Sequence, residues 1–330
     1  MRILFVVRSG NHPATRLRVI QYLGRLKDSD IETEVIPFPS GLLEWWCLLQ
    51  KAKEFNVVFF QKKRVHKFWL KRLKANGVKI IYDFDDAVMF NSSRHPNPDS
   101  PHRIRHFISM VKRCDVIIAG NSYLKSFAEP HNKNIWILPT AVDTDKYQVK
   151  QHQEANVGII LGWIGGDKSL VFLKKLQPVL DRIAGMHKNV SLKIVCNAFF
   201  DSDKMPIIKK QWSEVDEAQD VLSFDIGLAP LPDDSWSRGK CATKLLQYMA
   251  SGVSAVASAV GVNNEIISDG VNGFLAGNDN EWFDKLTRLI EDSALRLRLG
   301  VAARQTVEQG YSVNVNAQKL AEIIKGVKNQ

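Results

Sequence analysis

Residues 225–258, "DIGLAPLPDDSWSRGKCATKLLQYMASGVSAVAS", read as run, loop, helix and run. "DIGLAPL" and "SAVAS" are short continuous apolar runs without polar alternation, the pattern of strands buried on both faces. Between them Leu245, Leu246 and Met249 share one side of a short helix over 237–252. Gly252 stands where a glycine ends such a helix in the left-handed conformation. Strand–helix–strand alternation of this kind builds a parallel sheet with helices on both faces.

The same rhythm runs through the chain. Earlier runs are "RILFVV" (2–7), "ETEVIPF" (32–38), "NVVFFQ" (56–61), "KIIYDF" (79–84), "DVIIAG" (115–120) and "IWILP" (135–139). After a break come "VGIILGWIG" (157–165), "SLKIVC" (191–196), the two runs quoted first, and "GFLAG" (273–277). Two such series predict an α/β protein of two Rossmann-like, doubly wound parallel-sheet domains. The polar stretch "TDKYQVKQHQEANVG" (144–158) is the expected linker, giving domains at 1–150 and 151–311. The end of the chain, 312–330, is expected to form a closing helix.

Composition excludes several classes. The apolar start "MRILFVV" is followed at once by Arg8, too short for a signal peptide core, and no stretch approaches the roughly 20 apolar residues of a membrane span. A cytoplasmic location is expected. Cys47, Cys114, Cys196 and Cys241 are widely spaced, which suggests neither a zinc site nor a disulfide framework. Charge is uneven: residues 1–150 hold 25 Lys and Arg against 14 Asp and Glu, whereas 151–330 hold 20 against 21. The basic half calls for an anionic partner: nucleic acid, an anionic membrane surface or a phosphorylated substrate.

Ligands of doubly wound sheets bind beyond the carboxyl ends of the strands. Three loops there carry chemistry. After the first strand, Ser9 and Gly10 let a ligand approach the backbone, with Arg16 and Arg18 opening the next helix; an ordinary turn with solvated arginines is the alternative. After the fourth, "YDFDDAVMF" clusters Asp83, Asp85 and Asp86, open to reading as a metal-binding pair, a phosphoaspartyl nucleophile or caps of the next helix. The third combines "GWIGGDKSLVFL", with Gly165, Gly166 and Lys168, and the stretch around Lys240. Arg238, Lys240 and Lys244 crowd a helix entrance already positive from the peptide dipoles, an arrangement relieved by a bound diphosphate. Lys240, Lys244, Gln247 and Ser251 follow helical spacing, so Gln247 is positioned to bond a sugar hydroxyl; lysines that simply reach into solvent are the alternative.

The 225–258 block, followed by "GVNNEIISDGVNGFLA" and "WFDKLTRLIEDSALRLRLGVAAR", resembles the second domain of family-4 glycosyltransferases. Weaker likenesses in "ATRLRVIQYL", "YDFDDAVM" and "NSYLKSFAEPHNKNIWILPTAVDTDKY" extend it over nearly the whole chain. The resemblance implies the GT-B fold, with its two domains facing across a cleft, and a retaining, hexosyltransferase-type reaction. It further implies a nucleotide-diphosphate sugar as co-substrate, no metal or other cofactor, and acceptors bound mostly to the first domain. Its diphosphate would lie at the helix beginning near Ala242, giving Lys240, Thr243 and Lys244 phosphate contacts, with Gly165 and Gly166 bordering the donor and the final helix crossing back to the first domain. Lys168, Arg238 and Gln247 complete the donor set, and Lys240 and Lys244 stabilise the leaving phosphate. Asp85 or Asp86 positions the acceptor hydroxyl or the developing sugar cation. Ser9, Gly10 and Arg16 fall on the acceptor side.

The departures are specific. Family members carry two glutamates eight positions apart, where this chain has Gly239 and Gln247; a common histidine is replaced by Asp85, and an Arg…Lys pair is reduced to Lys168. The basic helix "QKKRVHKFWLKRLK" (61–74), with Trp45 and Trp46 nearby, suits either packing on the sheet or a membrane interface. A glycan or lipid-linked acceptor in bacterial surface polysaccharide assembly, at the inner face of the cell membrane, fits that charge. Two rivals stand: a non-catalytic partner subunit that binds nucleotide sugar or glycan, and a nucleic-acid-binding protein. The second lacks any RRM, KH or zinc-finger signature.

Overall fold

The computed structural model describes residues 1–9, 12–150 and 158–327. Gly10, Asn11 and residues 151–157 of the expected linker lie outside the described residues, as do 328–330. Two compact units result: the first holds Met1–Ala141, Asp234–Cys241 and the chain from Val313 onward, the second Val142–Asp233 and Ala242–Ser312.

The first unit contains β1 (Arg2–Val7), β2 (Glu32–Pro37), β3 (Val57–Gln61), β4 (Lys79–Phe84), β5 (Val116–Ala119) and β6 (Ile135–Ile137), ordered β2-β1-β3-β4-β5-β6 and parallel throughout. The period of two sorts each apolar run to both faces. Ile3, Phe5 and Val7 meet Val19, Tyr22 and the closing helix Val313–Gly326, through Leu320 and Ile324. Leu4 and Val6 meet the opposite layer, with Trp45, Leu70 and Phe107 from the helices Leu42–Ala52, Lys67–Ala75 and Pro101–Val111.

The second unit contains β7 (Ile159–Ile164), β8 (Val190–Cys196), β9 (Ile207–Gln211), β10 (Ile226–Ala229), β11 (Ser254–Ser258) and β12 (Phe274–Ala276), ordered β12-β11-β10-β7-β8-β9, again parallel. Gly162 in β7 is required by close packing, since a Cβ there would overlap the Phe224 ring. Both sheets with their flanking helices form the two-domain, Rossmann-like α/β architecture of the GT-B fold.

Three details differ from the sequence reading. Residues 142–150 belong to the second unit: Val142 bridges Ser312, and Lys150 pairs with Asp225 at 2.6 Å. The expected helix over 237–252 spans only Thr243–Ala250, because Ala242 turns the chain in the left-handed conformation at φ 51°. β9, "IIKKQ", has no apolar run to announce it because it is an edge strand with an exposed side. Among the described residues no helix is long and apolar enough to cross a membrane.

Candidate functional site

In the first unit the exits of β1, β3 and β4 assemble a charged cluster. Lys62, just past β3, adopts a left-handed backbone at φ 61°, a conformation that costs a side-chain-bearing residue of the order of 1 kcal/mol. Its N–H donates to the Asp83 carbonyl at 2.7 Å, and its ammonium pairs with Asp86 and, at 3.3 Å, with Asp85. Lys240 Nζ donates to the other Asp86 oxygen at 2.8 Å and stands 4.9 Å over the Trp236 ring. Asp86 is thus held between two cations. Burial alone would raise its pKa, but Lys240 and Lys62 outweigh that and hold it below the usual carboxylate range. They hold Asp86 ionised. Lys62 in turn is pushed up, the two carboxylates overcoming the cost of its burial. His12 accepts the Ala14 N–H on Nδ1 at 3.1 Å, and burial, Arg8 and Lys62 lower its pKa.

The segment Asp234–Cys241 is built into this unit. Ser93 Oγ donates to Asp234 Oδ1 at 3.1 Å, Tyr123 Oη to the Ser235 carbonyl at 3.1 Å, and Asn121 Nδ2 to the Lys240 carbonyl at 3.0 Å. Gly239 lies in the tightest part. A Cβ there would stand 2.7 Å from Ala87 Cβ and 2.9 Å from its backbone nitrogen, closer than side chains pack. The backbone approach that brings Lys240 to Asp86 leaves no room for a glutamate at position 239.

Behind the cluster lies an ion pair that sequence reading placed differently. Arg18 is fully buried, bonded by its guanidinium to both Asp83 oxygens, one at 3.2 Å through Nε, and donating to the Leu138 carbonyl at 2.7 Å. Arg18 and Asp83 therefore support the loops without facing a ligand. The helix-capping alternative for the aspartates fails, because the following helix, Pro101–Val111, is capped by Ser100. Among the described residues no group of three or more His, Cys, Asp or Glu side chains is arranged to hold a metal.

In the second unit β7 is followed by Gly165 and Gly166 and then by the turn Asp167–Ser169 carrying the exposed Lys168. A Cβ on Gly165 would come within 2.8 Å of the Trp163 ring and 3.0 Å of Lys244 Nζ. Lys244 Nζ lies 4.2 Å over that ring. The helix Thr243–Ala250 begins beside it, with no side-chain cap and no acidic residue in its first turn. Its first N–H groups, the lysine and an unobstructed glycine are the elements of an anion site.

Several expected residues sit elsewhere. Lys240 lies before the helix in extended backbone and belongs to the first unit, as does Arg238; Thr243 and Lys244 belong to the second. Gln247 and Ser251 do not face a ligand from a shared stripe with Lys244. Both are buried, and Gln247 Nε2 donates to Tyr147 Oη at 2.8 Å, which bonds Glu217 at 3.0 Å. The helix is covered on that side by the unit's own chain. Ser9 is exposed and Arg16 half-buried near the β1 exit. Lys62 was missed altogether; its signal, two lysines directly after an apolar run, resembles any solvated loop.

Residues 169–292 match the model of the family described as Glycosyl transferases group 1. No curated protein matches the chain by sequence. Among solved structures, HepE from Anabaena, in complex with UDP and glucose, is 17% identical with a TM-score of 0.73, the match covering 99% of this chain and 100% of that one. Sucrose-phosphate synthase from Thermosynechococcus elongatus is 11% identical with a TM-score of 0.73, covering 100% of both chains. WaaG, a glycosyltransferase involved in lipopolysaccharide biosynthesis, is 13% identical with a TM-score of 0.65, covering 99% and 100%. The matched domain and the GT-B fold together support a glycosyltransferase.

Proposed function

We propose that the protein transfers a sugar from a nucleotide-diphosphate sugar to a glycan or lipid-linked acceptor with retention of configuration, in assembly of a bacterial surface polysaccharide. The observation that carries this reading is the uncapped start of the helix Thr243–Ala250, set beside Lys244 and the glycine exit of β7. UDP in the HepE structure favours a nucleotide-sugar donor, and WaaG, of the same fold, is a glycosyltransferase. As the anomeric bond to the diphosphate breaks, negative charge grows on the leaving phosphate. Preorganised N–H groups and Lys244 stabilise that charge without reorganising. Gly165, Gly166, Lys168 and Thr243 would border the donor. Asp85, Asp86, Ser9 and Arg16 belong on the acceptor side, and no metal is required. The reading includes a cytoplasmic protein whose basic first half makes peripheral contact with an anionic membrane.

A thermal-shift panel of UDP, GDP, ADP, CMP and their sugar conjugates tests it on wild type and on Lys240→Ala/Lys244→Ala. A ligand at about 100 times its dissociation constant stabilises the fold by roughly 2.7 kcal/mol. Stabilisation by one nucleotide, lost in the double variant, is the expected result; none at millimolar concentration refutes the donor site. A second reading, a non-catalytic subunit that binds nucleotide sugar, is favoured by Gly239, where packing excludes the glutamate. Product formation from a labelled donor separates the two.

A further inference from the structure

One face of the first unit is apolar where it should be polar. On the helix Leu42–Ala52 the inward residues Trp45, Leu48 and Leu49 fill the core, yet Leu42 is 73% exposed, Leu43 82% and Trp46 46%. Spacing of three and four residues sets both leucines beside Trp46 on the helix surface. Phe68, 43% exposed, joins them from the helix Lys67–Ala75: the Arg72 guanidinium stands 5.2 Å from the Phe68 ring centre and 5.7 Å from that of Trp46. Single exposed apolar residues need no explanation, but four large ones drawn together mark a contact surface.

The surrounding charge identifies what it contacts. Residues 63–73 contain Lys63, Arg64, Lys67, Lys71 and Arg72 and no acid. The helix Pro101–Val111, equally free of acids, adds Arg103 and Arg105; Arg64 Nη1 donates to the Arg103 carbonyl at 3.0 Å, so the two segments adjoin. The one acid of the helix Leu42–Ala52, Glu44, is folded back onto Ser40, accepting its N–H at 2.6 Å. A second copy of this chain would bring like charges together. Nucleic acid has no use for the two most exposed side chains of the face, Leu42 and Leu43, which neither stack on bases nor hydrogen-bond. An anionic bilayer satisfies both halves, with leucine and aromatic side chains entering the acyl boundary and lysines and arginines meeting the headgroups.

We propose that the face formed by Leu42, Leu43, Trp46, Phe68 and Arg72 docks the protein onto anionic phospholipid. The inference rests on the peripheral contact included in the functional reading above and not on the transfer chemistry. The full chain is sedimented with vesicles of phosphatidylcholine alone and of an equimolar mixture with phosphatidylglycerol, alongside Leu42→Glu/Leu43→Glu and Lys67→Glu/Lys71→Glu. Wild type is expected to sediment with the anionic vesicles only. The leucine variant should lower partition by about tenfold or more, since burying even part of each side chain is worth over 1 kcal/mol. Each lysine removed should lower it about fivefold, the factor corresponding to roughly 1 kcal/mol near such a surface.

No binding by wild type overturns both the membrane contact and this face. Binding that the variants retain overturns the face alone. Self-association without vesicles, lost in the leucine variant, overturns it in favour of a second copy. All substituted side chains are at the surface, and an unchanged nucleotide thermal shift in each variant keeps the donor-site reading separate.

Discussion

The buried pair Arg18–Asp83 offers the sharpest energetic test, because both side chains are at most 1% exposed. Burial works against charge on Arg18, but the Asp83 carboxylate in front of it prevails and lifts the guanidinium above its ordinary value, so it stays charged at every accessible pH. Asp83→Leu strands that cation in the core, and breaking such a pair from one side costs about 3–5 kcal/mol. For a folding unit of this size, each kcal/mol moves Tm by about 2–4 °C, so the single variant should melt about 6–20 °C lower. Arg18→Met should fall in the same range by leaving the carboxylate unpaired. The double variant Arg18→Met/Asp83→Leu should recover most of the loss, because an apolar pair of similar volume replaces a desolvated ionic one at little net cost. It forfeits the bond to the Leu138 carbonyl. The assay is a double-mutant cycle by guanidinium unfolding, read by tryptophan fluorescence. Loss in the double variant equal to the sum of the singles would mean that the two groups are not coupled and would refute the account of what holds the β1 and β4 exits together.

Other substitutions read the site more directly. Gly239→Glu should destabilise the protein by about 1–3 kcal/mol without raising transfer, since the Cβ alone meets Ala87 at 2.7 Å; a more active, equally stable variant would count against that packing. Asp86 contributes stability that is fully present above the unfolded carboxylate value of 3.8 and drains away as pH falls through its lower folded value. Asp86→Asn should therefore flatten the acid limb of a Tm–pH profile, and an unchanged limb would show that the Lys62 and Lys240 contacts do not bias its ionisation. Gly165→Val should weaken nucleotide binding by displacing Lys244 from the Trp163 face, measured by titration calorimetry, while Gly166→Ala, with nothing within 4 Å of the added Cβ, should leave it within about twofold; equal loss in both would shift attention from the lysine to the backbone.

Strands buried on both faces were legible because their run of apolar residues needs no partner information: "ILFVV" in β1 is continuous whichever helix covers it. β9 was not, since an edge strand with one face in solvent can read "IIKKQ" and still pair in register with β8. Polar residues were harder for a related reason. Nothing local in "TRLRV" tells Arg18 from Arg16, and only the distant Asp83 makes one of them a core residue. Gln247 likewise falls on the polar stripe of its helix by spacing, yet Tyr147 and Glu217, far off in sequence, turn that stripe into an interior network.

The segment Asp234–Cys241 shows why motif matching alone misplaces this site. By sequence, Lys240 and Lys244 are one turn apart on a common helix; in the structure, the left-handed residue Ala242 separates them, and Lys240 is anchored among Asn121, Trp236 and Asp86. Glycine at 239 is then not an isolated feature. Glycine at 239 allows the backbone to reach Ala87; that approach sets Lys240 against Asp86; and Asp86 stands in a loop beside Asp85 whose second cation, Lys62, comes from the exit of β3. Gly239, Lys240, Asp85, Asp86 and Lys62 are mutually dependent parts of one packed charge cluster. Exchanging any one of them singly should therefore lower stability before it changes chemistry, whereas a gain of activity would require the glycine, the aspartates and both lysines to be exchanged together.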